Sequence, residues 1–222
     1  MNILYFLFGS CLGSWICASA YRYDLPDLKK EKRSICPICH HKLPFYDLIP
    51  VISWIHLKGK CRFCHHRIPF DHLLCEVLCG LLIMLCMHLD HSLLMCSLIC
   101  VLVYAAYTDM YHGLIPDRCH VLILLIYILS EPYDWKNRII FSLCVFCVLY
   151  LIAYLTQALG YGDVKYITSM SLFMNLYALS WMICIASTSA LIFNFTKRKK
   201  DKIRFAPYLG FACFVVVLFS TI

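Results

Sequence analysis

An all-α protein that crosses a membrane several times is the fold class this sequence predicts, and three observations predict it. Hydrophobic residues make up 62% of the 222 positions and charged residues 15%, where a soluble domain carries about 45–50% and about 25%. A chain of this size has too little interior to hide that excess. The apolar residues also come in runs close to the roughly 20 positions that a spanning helix needs. Finally, ten of the twenty Lys and Arg residues fall between positions 21 and 71. Positives gathered between apolar runs mark topology, so the net charge of +7 is not read as a nucleic-acid footprint. The bilayer is the expected partner, and no nucleic acid is.

The first run, Met1 to Ala20, has no basic segment before it, and the Lys/Arg cluster follows it. That order reads as a first spanning helix and not as a cleaved signal peptide. A polar loop occupies 21–71, and apolar runs follow at 72–88, 92–108, 114–130 and 138–159. The next stretch, 164–195, would be about 48 Å long as one helix, against a hydrocarbon core of about 30 Å. The positive-inside rule puts the 21–71 loop on the cytoplasmic side, together with the basic linker Lys197-Arg198-Lys199-Lys200, Lys202 and Arg204. An even number of crossings must then lie between 163 and 197, so two short helices turning near Asn175 are expected. A last run at 205–222 brings the expected total to eight helices with both termini outside. The loops then assigned outside, His88–His91 and Ser130–Asn137, hold one basic residue, Lys136. Three parts follow: residues 1–20 as the first helix, 21–71 as a cytoplasmic loop, and 72–222 as the main membrane domain. No internal repeat is expected.

Most of the sixteen cysteines are scattered through apolar runs, as Cys96, Cys100, Cys144 and Cys147 are, where cysteine acts as a small hydrophobe. Four have meaningful spacing. Cys36-Pro37-Ile38-Cys39 and Cys61-Arg62-Phe63-Cys64 are two C-x-x-C pairs with 21 residues between them. Paired knuckles at such spacing signal zinc, and four thiolates make a closed, structural site. A reducing compartment disfavours disulfides there, and Lys60 and Arg62 favour thiolates. His40, His41, His65 and His66 adjoin the knuckles and are read as solvated surface residues, with a ligand role as the alternative. The loop is too small to build much core, so metal is expected to fold it.

Acids that border apolar runs carry the functional signal, because an ionisable group there is costly. Asp109 ends the third apolar run, and Asp163 follows a glycine turn in Gly160-Tyr161-Gly162-Asp163-Val164-Lys165. Both fall at the cytoplasmic boundary of the expected topology, 54 positions apart. Two carboxyls brought together can share a proton. The ionised one can then take a proton from water while the protonated one polarises a peptide carbonyl. Gly160 and Gly162 would let backbone approach a bound peptide. The plain alternative is a pair of ordinary helix-end acids. Asp117, after Pro116, reads as a helix N-terminal acid. His112 and His120 do not make a metal site, and Glu76 stands one turn into the second helix with a role left open.

Taken together, these features resemble the prepilin peptidase family, the type IV prepilin leader peptidases. The family's Asp, six residues, Pro-Asp motif is matched by Asp109, Pro116 and Asp117, and its G-x-G-D by Gly160 to Asp163 with Lys165 behind it. Its two knuckles are matched by Cys36, Cys39, Cys61 and Cys64, and the segments Asp47 to Trp54 and Gly59 to Arg62 resemble the family's loop. The resemblance implies an intramembrane aspartic endopeptidase of the bacterial cytoplasmic membrane. Such an enzyme cuts the basic leader from prepilins or pseudopilins, after a glycine, on the cytoplasmic side. Asp109 and Asp163 map onto the catalytic pair, and Gly160, Gly162 and Lys165 of the matched segment are expected to position substrate and backbone. The resemblance also implies N-methylation of the new amino terminus from S-adenosylmethionine by the amino-terminal region. The short, single-chain form is similar to those serving competence pili. Two departures fall in the amino-terminal half: Cys17 stands where the family has Asn, and His72-Leu73 stand where it commonly has Tyr-Pro.

Two other classes remain in view. A non-catalytic, zinc-bearing scaffold for pilus assembly would keep the knuckles without needing both acids. A proton-coupled transporter would place its acids mid-helix near repeat interfaces, whereas Asp109 and Asp163 sit at the ends of runs.

Overall fold

The protein is described by a computed structural model covering residues 1–25, 33–89, 93–130, 133–157, 159–197 and 204–220. Lys29, Lys30 and Lys32 of the loop, Arg198 to Lys202 of the basic linker, and parts of the segments at 88–91 and 130–137 lie outside the described residues. The helices are α1 (Asn2–Tyr21), α2 (Ile52–His56), α3 (Phe70–His88), α4 (Leu93–His112), α5 (Asp117–Leu129), α6 (Trp135–Thr156), α7 (Tyr161–Ser171), α8 (Leu176–Lys197) and α9 (Ala206–Ser220), with a 3-10 turn at Phe45–Leu48. Among the described residues, β-type pairing is confined to two isolated bridges, Ile35 with Lys42 and Lys60 with Arg67.

The protein is a multi-pass membrane protein. Among the described residues five helices are long and apolar enough to cross a bilayer: Asn2–Tyr21, Phe70–His88, Leu93–His112, Trp135–Thr156 and Leu176–Phe193. The other three long helices fall short of the expected crossings, with 13 residues in α5, 11 in α7 and 15 in α9. Thirteen residues rise only about 20 Å. The stretch 164–195 does turn before Asn175, whose Oδ1 accepts the Ala178 N–H at 2.8 Å. Its halves are unequal, however, because Lys165, Thr168, Ser169 and Ser171 make α7 short and polar.

The chain divides into two compact units, Met1–Cys100 and Val101–Ile222. In the first, α1 and α3 pack antiparallel at very short range. A Cβ added at Gly9 would lie 2.7 Å from the Cys79 carbonyl oxygen, and one at Gly13 would lie 2.7 Å from that of Cys75. Gly9 and Gly13 are four apart, the small-xxx-small spacing that lets membrane helices approach. The loop between α1 and α3 folds over the end of this hairpin.

That loop contains a repeat, contrary to the expectation of none. Residues 36–44 and 61–69 share the pattern C-x-x-C-H-H-basic-aliphatic-Pro. They also share conformation: Cys36 N–H donates to His41 O and Cys61 N–H to His66 O, while His40 and His65 both sit at φ +55°. A tight knuckle needs a left-handed residue at that point, and histidine tolerates it better than most. The four histidines are exposed.

In the second unit α7 lies inside, packed against α5, α6, α8 and α9. Val164, Tyr166, Ile167 and Met170 are buried, and Ser142 of α6 donates to the Thr168 carbonyl at 2.9 Å. By contrast α6 turns nearly all its side chains outward, Cys144 and Cys147 among them, as a lipid-facing helix does.

Candidate active site and metal centre

Asp109 lies in the last turn of α4 and is buried, at 8% exposure. Its Oδ2 accepts the N–H of Ala206, the first residue of α9, at 3.2 Å. Its main-chain oxygen accepts the Gly113 N–H at 2.8 Å and Arg204 Nη1 at 3.1 Å. Gly113, at φ +69°, supplies the left-handed residue that closes the helix. Asp163 sits in the first turn of α7, behind Gly160 as the N-cap. The two carboxyls, 54 positions apart in sequence, are close enough to act on one another electrostatically. An added Cβ at Gly160 would lie 3.1 Å from Asp163 Oδ2, whereas one at Gly162 would make an ordinary contact with Ile115 at 3.6 Å. Lys165 Nζ reaches Asp117 Oδ1 at 2.6 Å and ties α7 to α5 at the surface. His120 joins no metal group among the described residues; its Nδ1 stands 3.1 Å from Ser169 Oγ.

Sequence reasoning missed Arg204 as a site residue, reading it only as a linker charge. It also missed the Ala206 amide, for which no side-chain signal exists.

In the first unit the four spaced cysteines converge, with all four Sγ atoms within 4.8 Å of one another. Cys36 Sγ and Cys64 Sγ are 3.8 Å apart. Tetrahedral zinc with Zn–S bonds of about 2.3 Å has an S–S edge of about 3.8 Å, so the donor set fits that ion. The two knuckles also stack, His41 on Phe63 at 3.7 Å between ring centroids. Burial pushes the Cys36 thiol up, but the amides of Cys39 and Ile38 outweigh it and bring it down to about 7. At Cys64 the His66 amide acts downward, yet burial and the neighbouring thiols push it up to about 11. Four thiols at this range cannot all ionise unaided; a bound cation favours the thiolate form at each.

Beside the knuckles lies a cavity of about 300 Å³, lined among others by Ser14, Tyr21, Asp47, Trp54, His72 and Glu76. Trp54 Nε1 is buried without a hydrogen-bond partner. Glu76 accepts the Val51 N–H on Oε2 at 2.7 Å. Asp47 holds Arg62 by both carboxylate oxygens, with the shortest contact 2.6 Å. The two sequence departures meet here, for Cys17 Sγ lies 3.4 Å from His72 Nδ1. A contact of that kind between distant positions is invisible in one sequence.

The profile of the Bacterial Peptidase A24 N-terminal domain matches residues 7–90, and that of the Type IV leader peptidase family matches residues 96–195. The chain belongs to the type IV leader peptidase family. Relatives named prepilin leader peptidase/N-methyltransferase agree with the two matches. That of Dichelobacter nodosus is 25% identical, covering 88% of this chain and 76% of its own length. The one from Aeromonas salmonicida strain A449 is 28% identical over 85% and 72%. The Bacillus subtilis strain 168 protein is 27% identical over 99% of this chain and 95% of its own length. No solved structure matches. Both aspartates fall within the peptidase match, while Arg204 and Ala206 lie beyond its end.

Proposed function

We propose that this protein is a prepilin leader peptidase that cuts the leader from prepilins or pseudopilins with Asp109 and Asp163. The observation that carries the reading is that both acids stand at helix ends within the residues matched by a family of leader peptidases, with Asp109 bearing electrostatically on Asp163. In the reaction the ionised carboxylate takes a proton from water as its oxygen attacks the scissile carbonyl. The protonated carboxyl donates a hydrogen bond to the carbonyl oxygen, and a proton then passes to the leaving amine. Gly160 keeps the space beside Asp163 Oδ2 open. The Lys165–Asp117 pair fixes α7 against α5, so Lys165 acts through position. The positive-inside argument puts the site and the loop at the cytoplasmic face.

The second activity rests on the relatives' shared name. S-adenosylmethionine would supply the methyl group for the new amino terminus. Trp54, with its unpartnered Nε1, and the Glu76 carboxylate are the groups of the cavity that would hold it. Zinc on Cys36, Cys39, Cys61 and Cys64 is structural and takes no part in either reaction.

The test is leader cleavage of a prepilin by the detergent-solubilised protein, read by product mass. Asp109→Asn and Asp163→Asn are each expected to abolish cleavage while inserting and retaining metal. Cleavage by either variant would remove the pair from the mechanism.

A further inference from the structure

Between α1 and α3 a run of apolar residues faces outward. Phe45, Tyr46, Ile49, Ile52 and Ile55 are exposed by 77, 60, 45, 59 and 62%. Single exposed apolar residues are ordinary, but five within eleven positions form a patch. On α2 the arrangement is one-sided. Ile52 and Ile55, three apart, share the outer face, while Ser53, Trp54 and Leu57 line the cavity.

What covers that face is fixed by its depth on the hairpin. The 19 residues of α3 rise about 28 Å, nearly the full hydrocarbon thickness of about 30 Å. Glu76 is the seventh residue of α3, about 9 Å from its loop end. Its carboxylate holds the Val51 N–H at 2.7 Å. Val51 itself is bent into a γ-turn at φ 63°, ψ −54°, with the Ile52 N–H donating to the Pro50 carbonyl at 2.6 Å. A positive φ is uncommon for a β-branched residue, and the bond to Glu76 holds it there. Ile49 and Ile52 flank this turn, so they are drawn down alongside a helix that spans the bilayer. Interfacial segments sink about 5–10 Å into the boundary between headgroups and acyl chains, which matches.

Charge agrees with depth. Residues 33–69 hold six Lys and Arg residues and one acid, Asp47, and Asp47 is already engaged by Arg62. Arg33 lies over the Phe45 ring at 5.3 Å and Arg62 over that of Tyr46 at 4.9 Å, so cations and aromatics are paired on the same surface. Juxtamembrane basic clusters of this kind attract anionic headgroups.

We propose that the Phe45–Ile55 segment is a lipid-docking surface, seated in the membrane interface with Ile49, Ile52 and Ile55 at the acyl boundary and the basic residues among anionic headgroups. The knuckles thus stand on the bilayer, and α2 separates lipid from the cavity.

The experiment uses the full chain with p-benzoylphenylalanine in place of Ile52 or, separately, Ile55. The protein is held in nanodiscs of phosphatidylglycerol and phosphatidylcholine, irradiated with and without a prepilin, and weighed. Bound zinc is measured to show that the loop is folded. Lipid adducts are expected at both positions whether or not prepilin is present, with the yield roughly halved in phosphatidylcholine alone. Zinc-loaded protein without lipid adducts overturns the proposal, and adducts to prepilin in place of lipid reassign the face to substrate. A yield unchanged in phosphatidylcholine removes its electrostatic half.

Discussion

At Gly160 any side chain would begin 3.1 Å from Asp163 Oδ2, and the carboxyl would have to move to admit it. Gly160→Ala is therefore expected to lower kcat/KM for leader cleavage by about ten- to a hundredfold, the range for a misplaced reacting group. Gly162→Ala meets only Ile115 at 3.6 Å and is expected to leave cleavage near the parent value; steady-state kinetics on one prepilin compares them. The sequence motif alone treats these glycines alike, because spacing records that a turn exists and not which atom faces the carboxylate. The two aspartates were legible for a different reason: an acid at the edge of an apolar run is expensive and stands out. What surrounds Asp109 was not legible. Its donor is a main-chain N–H at Ala206, which any residue but proline supplies.

Helices were read from apolar runs, and the reading succeeds where one face alone decides the element. Runs at 72–88 and 138–159 become α3 and α6 with ends displaced by a few residues. It fails at α7, where a buried helix of the second unit carries Lys165 and Thr168 within a stretch that averages as apolar. Packing between helices was also missed, although Gly9 and Gly13 have the spacing for it. Gly13→Ala places a methyl 2.7 Å from the main-chain oxygen of Cys75, where no rotamer relieves the clash. A loss of about 1–3 kcal/mol is expected, read as a lower Tm in detergent. Gly210→Ala, with 3.5 Å to Tyr166 Oη, is the tolerated control. In the loop, Cys36→Ser is expected to lose the roughly one zinc per chain that four thiolates bind, read by metal analysis. A metal-free chain that keeps the folded loop's slow hydrogen exchange would show that the knuckles fold without it.

The assignment of the two activities to separate units carries the last prediction. Asp109 and Asp163 lie in the unit Val101–Ile222, and the four thiols, Glu76 and the cavity lie in the unit Met1–Cys100. Lesions in sites built by separate units are expected to act independently, so the activities should come apart in one direction only. Glu76→Gln keeps the shape of the side chain but removes the charge that would face the methyl donor. It is expected to release a prepilin shortened by the leader alone, at close to the parent rate, with the added methyl mass lost. Asp163→Asn is expected to lose both masses, because the amine to be methylated does not exist until the leader is cut. Mass spectrometry of one prepilin treated with each variant distinguishes these cases. If Glu76→Gln stops cleavage while zinc content and Tm are unchanged, the cavity serves the peptidase, and the division of labour between the units is wrong.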